Sequence, residues 1–130
     1  MTVVVDASLL IAALVDSGAD GRWAEGILAD GELVSAEMVL AESANVLRRL
    51  ESNRSIAAST ASAAYGDLLQ LELSLHGLSP LAARVWQLRA TVNAYDAWYV
   101  ALAETLDCPL ATLDRRLARA SGPRCDFVLR

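Results

Sequence analysis

Four acidic side chains, Asp6, Glu42, Asp96 and Asp114, sit where this chain is otherwise most apolar. Asp6 closes the run Thr2-Val-Val-Val5, and Glu42 lies on the helix whose apolar stripe is Val39, Val46, Leu47 and Leu50. Asp96 precedes AWYVALA, and Asp114 follows LATL. Carboxylates so placed lose hydration and, where a fold gathers them, repel one another, so something cationic must hold them together. A fold that keeps all four has to set three of them at strand ends or helix starts and Glu42 on the margin of a helix stripe.

Thr2 to Val5 reads as a buried strand and Ala7 to Val15 as the helix after it. Asp20 is a cap candidate for a helix carrying Trp23, Ile27 and Leu28, broken at Gly31. Glu32 to Ser35 reads as a strand, Glu37 to Leu50 as a long helix, and Ser55 to about Leu69 as an Ala/Ser-rich helix. Leu71, Leu73 and Leu75 alternate as a strand closed by Gly77. Ser79-Pro80 matches a cap with Pro at the first helical position, opening a helix through Val85, Trp86 and Leu88. Asp96 to Leu106 is a further helix with Asp96 as its first residue or cap. Pro109 to Thr112 is a strand, Arg115 to Ala120 a short helix and Phe127 to Leu129 a last strand. Strands separated by helices predict an α/β fold, a central parallel sheet of about four to five strands flanked by helices as an α/β/α sandwich. The 130 residues suit one domain over 1–130, and only Glu51-Ser-Asn-Arg-Ser55 reads as a weak linker.

In such a sheet ligands gather beyond the carboxyl ends of the strands, so Asp6 and Asp114 belong on one rim. Asp96 at a helix start meets the favourable end of the helix dipole, and Glu42, on the margin of its stripe, can reach into a cleft. Each acid also has a purely structural explanation. Asp6, Asp96 and Asp114 are good N-caps, and Glu42 suits a helix surface. Oxygen-only ligands would select a hard cation such as Mg²⁺ or Mn²⁺.

A net charge of −5 opposes nucleic-acid binding, although all 11 basic residues are Arg, whose planar fork suits phosphate. A GC-rich coding bias explains that preference as simply. The missing lysines exclude a P-loop, a Schiff-base enzyme and a receiver-type phospho-acceptor site. The one histidine, His76, lies outside every acidic segment, which excludes a ribonuclease built on paired histidines. The 55% apolar content, with Trp23, Trp86 and Trp98 beside a single Phe, predicts a partner-covered surface and a homodimer. SLLIAALV ends at Asp16, too short to span a bilayer, and the start lacks a basic leader, so no membrane association and a cytoplasmic location are expected. Cys108 and Cys125 have no metal-type spacing and read as reduced core thiols.

Taken in order, VVVDAS, VLAESANVL, AYDAWYVALAE and LATLDRRL resemble the PIN-domain ribonucleases, and most closely the VapC toxins of bacterial toxin–antitoxin pairs, over nearly the whole chain. The resemblance implies a Mg²⁺-dependent endoribonuclease with Asp6, Glu42, Asp96 and Asp114 as catalytic residues, the three Asp holding the metal. A metal-activated water would attack the phosphodiester and leave a 5′-phosphate. Ser8 and Thr112 match places where the family carries hydroxyls that fix carboxylate rotamers, though local turn bonding explains them equally well. The implied substrate is structured RNA, tRNA or rRNA, whose cleavage inhibits translation. The implied partner is a cognate VapB-like antitoxin whose C-terminal segment lies in the active-site groove. Arg22, Arg115, Arg116 and Arg119 are candidate RNA or antitoxin contacts, and Arg48 and Arg49 lie beyond Glu42 on its helix. RRLARA after Asp114 lacks a further acid that some relatives carry, which leaves a second metal open. Two alternatives remain at this point: a PIN nuclease of RNA processing outside a toxin–antitoxin pair, decided by gene context, and an inert PIN-like binding module.

Overall fold

A computed structural model describes residues 1–130. The β-branched run at the start forms β1 (Thr2–Val5), followed by α1 (Ala7–Val15), α2 (Ala19–Asp30), β2 (Glu32–Ala36), α3 (Val39–Ser52), α4 (Ala58–Gln70) and β3 (Leu73–His76). A 3₁₀ turn, Ser79–Leu81, leads into α5 (Ala82–Gln87), and α6 (Ala94–Leu106), β4 (Leu110–Ala111), α7 (Arg115–Arg119) and β5 (Phe127–Val128) complete the chain. All five strands are parallel in the order β3-β2-β1-β4-β5. The right-handed rule for such crossovers sets α1 to α4 on one face and α5 and α6 on the other. The chain steps outward from β1 to β2 and β3, then returns to the far side of β1 as β4. That reversal opens a crevice between the carboxyl ends of β1 and β4, where an open α/β sheet receives its ligand.

Val3, Val4, Val5, Leu9, Leu10, Val100, Leu102 and Leu110 are buried in one continuous core. Helix α6 buries almost its whole circumference over Ala97–Ala103, as a helix against a sheet and a further helix must. Helix α2 enters so close to α1 that a Cβ on Gly21 would lie 1.6 Å from the Asp16 carbonyl oxygen, so no larger residue fits there. No helix is long and apolar enough to cross a membrane.

Several local expectations are corrected. Helix α2 is capped by Gly18, not Asp20, which pairs with Arg130 instead. Helix α3 starts at Val39 because the Glu37 N–H is still tied to the His76 carbonyl at 2.9 Å in the sheet direction. The Glu51–Ser55 segment is no linker. It ends α3 and turns through Arg54 at φ 64°, with Asn53 Oδ1 accepting from the Ser55 N–H. Ser79 caps nothing, and the segment it opens is 3₁₀ before it becomes α5. Leu71 ends α4, and Leu75 is 40% exposed, because β3 is an edge strand with no neighbour to cover it. Among the tryptophans, Trp23 packs against the core and Trp98 donates to the Leu78 carbonyl, while Trp86 stays 68% exposed with the Arg89 guanidinium 4.5 Å above its ring.

Candidate active site

Asp6 is the first residue past β1 and the N-cap of α1, so a strand end and a helix start hold one carboxylate. It is only 4% exposed. Its Oδ1 accepts from Ser8 Oγ at 2.7 Å and from the Leu9 N–H at 3.1 Å, and its Oδ2 accepts from Thr112 Oγ1 at 2.5 Å. Thr112, past the end of β4, also accepts from the Asp114 N–H at 3.0 Å, which ties the β1 and β4 ends together. Asp114 caps α7, its Oδ1 accepting from the Arg116 and Leu117 N–H groups at 2.9 and 3.1 Å.

Asp96 is not the cap of its helix. Asn93 is: its Oδ1 accepts from the Asp96 N–H at 2.9 Å while its Nδ2 donates to Asp96 Oδ2 at 2.8 Å. The spacing of a cap and an acid three residues later is that of a capping box, a signal present in Asn93-Ala-Tyr-Asp96 that a reading centred on the acid overlooks. Glu42 receives the Tyr99 hydroxyl at 3.0 Å, a contact between α3 and α6 over the rim of the sheet. Tyr99 lies one helical turn beyond Asp96 and therefore shares its face.

Asp6, Glu42, Asp96 and Asp114 line one cleft of about 310 Å³, with Ser8 and Tyr99 in its wall. No arginine or histidine side chain lines the cleft to neutralise them. The ion pairs of the chain, Arg84 with Glu104 and Arg130 with Asp20, lie elsewhere. Burial pushes Asp6 above its ordinary value of 3.8, against the three hydrogen bonds that lower it, and Asp114 adds repulsion. Glu42 and Asp96 are raised by desolvation first, then by the neighbouring acids, against the bonds from Tyr99 and Asn93. Desolvation and the nearby carboxylates push the Tyr99 hydroxyl far above its usual range, so it stays a donor. The three Asp do not close into a cage: no three acidic, His or Cys side chains stand close enough to enclose an ion unaided. Each carboxylate is instead tied back by its own donors. The donor set fits a hard cation that keeps several waters and binds through one or two carboxylates and a substrate phosphate, as Mg²⁺ does.

The PIN domain model matches residues 3–123. A VapC ribonuclease of Mycobacterium bovis is 37% identical over 127 residues, covering 98% of this chain and 97% of its own. The chain is a PIN domain of the VapC type. Its fold is shared with VapC20 of Mycobacterium tuberculosis, a sarcin–ricin loop cleaving toxin, at a TM-score of 0.70 and 18% identity over 90% of this chain and 93% of that one. It is shared also with VapBC2 of Rickettsia felis, solved bound to a promoter DNA fragment, at a TM-score of 0.71 and 13% identity over 100% and 99%.

Within this PIN domain the candidate arginines divide. Arg22 donates to the Ser17 carbonyl and lines an apolar groove with Trp23 and Ile27, away from the acids. Arg115 bonds the Arg130 carbonyl, and Arg116 serves Asp114 through its backbone, while Arg119 ends α7. None of these side chains lines the acidic cleft. Arg49 does border Glu42 and Asp96, in a groove that continues the cleft.

The raised carboxyls give stability a definite pH dependence. Between the ordinary carboxylate range and the raised values, the folded state binds more protons than the unfolded state, so their stabilisation is complete below that range and is lost as pH rises. The melting temperature of the metal-free PIN domain should therefore fall as pH rises above the ordinary carboxylate range, and added Mg²⁺ should restore more of it at the higher pH. Calorimetric scans with and without EDTA measure both effects, and a metal-free melting temperature that rises with pH there would contradict them.

Proposed function

We propose that this PIN domain, one domain over residues 1–130, is a divalent-metal-dependent endoribonuclease and the toxin of a toxin–antitoxin pair, cutting structured RNA and so inhibiting translation. The observation that carries the reading is four carboxylates in one cleft with no protein cation among them. Asp6 is locked by two hydroxyls and an N–H, Glu42 by Tyr99, and Asp96 by Asn93, so the rotamers are set before anything binds. Asp6, Asp96 and Asp114 would together hold a hydrated Mg²⁺, with Mn²⁺ as a substitute, one or two of them directly and the rest through its waters, and Glu42 stands beside them. When bound, such an ion polarises a phosphodiester oxygen and makes water a stronger nucleophile. Without it the four carboxylates repel a phosphodiester, so substrate entry and cation binding are coupled. The 37% identical ribonuclease supports the activity, VapC20's named target supports structured RNA, and VapBC2 supports an antitoxin partner. The exposed Trp86, Leu69 and Leu75 are apolar surface that a second copy would cover, in keeping with a homodimer.

Incubation of the purified protein with tRNA and ribosomal RNA, followed by sequencing of the new 5′ ends, tests the activity. Discrete cuts bearing 5′-phosphates are expected with Mg²⁺ and none with EDTA. Cleavage that persists in EDTA and leaves cyclic phosphates would overturn the mechanism.

A further inference from the structure

The acidic cleft opens into a second groove of about 500 Å³, which shares Glu42, Val46 and Asp96 with it. One wall is the face of α3 that carries Glu42, Asn45 and Arg49, residues three and four apart and therefore aligned along the helix. The other wall is the start of α6, where Tyr95 stands one residue before Asp96. Tyr95 is 63% exposed and its hydroxyl has no hydrogen-bond partner. Arg49 is exposed too and makes neither an ion pair nor a side-chain hydrogen bond. Asn45 uses its oxygen to accept from Arg48, which leaves its two N–H donors directed at no protein group.

An exposed aromatic face, an unpaired guanidinium and free amide donors, at the edge of a cluster of acids, are the parts that receive one nucleotide. The aromatic face stacks a base of any identity, the guanidinium pairs with a phosphate, and the amide meets an acceptor on the base edge. We propose that this groove is a nucleotide subsite, in which Tyr95 stacks an unpaired base flanking the cleaved phosphate and Arg49 contacts the adjoining phosphate. The inference rests on the nuclease reading and adds to it a reason why the substrate must be single-stranded at the cut: a base held in a duplex cannot reach Tyr95.

Fluorescence polarisation with 12-nucleotide oligo(U) and oligo(A) in Ca²⁺, a larger hard cation that offsets the acids while supporting little cleavage, separates binding from chemistry. Tyr95→Ala should weaken both RNAs about ten-fold and Tyr95→Phe less than about two-fold, because stacking needs the ring and not the hydroxyl. Arg49→Ala should weaken them about five-fold and lower the slope of log affinity against log salt by about 0.7, the share of one single-strand phosphate. Arg89→Ala, outside the groove, should change binding less than about two-fold. A 2-aminopurine placed in the RNA should be quenched by the wild type and not by Tyr95→Ala. Wild-type affinity and quenching in Tyr95→Ala would overturn the subsite, and cleavage by the wild type in Mg²⁺ would then leave the nuclease reading standing. Loss of antitoxin affinity with unchanged RNA affinity would make the groove a protein contact and overturn the subsite equally. A wild type that neither binds nor cleaves any RNA overturns both readings.

Discussion

Asp6→Asn should lower RNA cleavage by about three orders of magnitude or more while raising the melting temperature of the metal-free protein. The two effects have one origin. Asp6 is almost fully buried, and desolvation outweighs the bonds from Thr112, Ser8 and Leu9 in setting its proton affinity. Its ionised form is therefore costly at neutral pH, and the neutral amide removes that cost. The hydroxyls of Ser8 and Thr112 can rotate to accept as well as donate, so both sides of an asparagine find partners at this position. The same replacement removes the anion at the β1 end, where a divalent cation would supply several kcal/mol of transition-state stabilisation, and each 1.4 kcal/mol is about ten-fold in rate. The decline of melting temperature with rising pH should also shrink in this variant. Activity near that of the wild type, or a lower melting temperature in EDTA, would remove Asp6 from the site.

Asp96→Asn separates a role in the cleft from a role in the helix. Because Asn93 is the cap of α6, Asp96 contributes to helix stability through the bond from Asn93 Nδ2 and through its charge in the first turn. An asparagine keeps the acceptor and loses the charge, a cost of about 0.3–1 kcal/mol at most. If that were its whole role, cleavage would be unchanged. As one of four acids in the cleft it should matter far more, and cleavage should fall about 100- to 1000-fold in a folded protein, with the deficit largest at low Mg²⁺. Asn93→Ala is the complementary change. It removes the cap, costs about 1 kcal/mol, and frees the Asp96 carboxylate to turn, so it should lower both stability and cleavage while the charge stays in place. Full activity of Asp96→Asn at low Mg²⁺ would return this acid to the helix alone.

The sequence by itself determined the alternation of strands and helices and the place of Asp6 and Asp114 at strand ends, because hydrophobic period and covalent adjacency are local properties. It also marked the four acids, since a carboxylate in an apolar segment is costly wherever the chain goes. Only the tertiary structure decided what those acids meet. Thr112 reaches Asp6 across 106 positions, and Tyr99 reaches Glu42 across 57. No periodicity records such separations. They follow from the order β3-β2-β1-β4-β5, which sets β4 against β1 and brings α6 across to α3. The same ordering left Leu75 uncovered on an edge strand, and it set Arg49 rather than Arg22 beside the acids. Side-chain type and spacing state which groups a chain can offer. Which of them share a cleft depends on how its crossovers fold back, and that is decided by packing between segments distant in the chain.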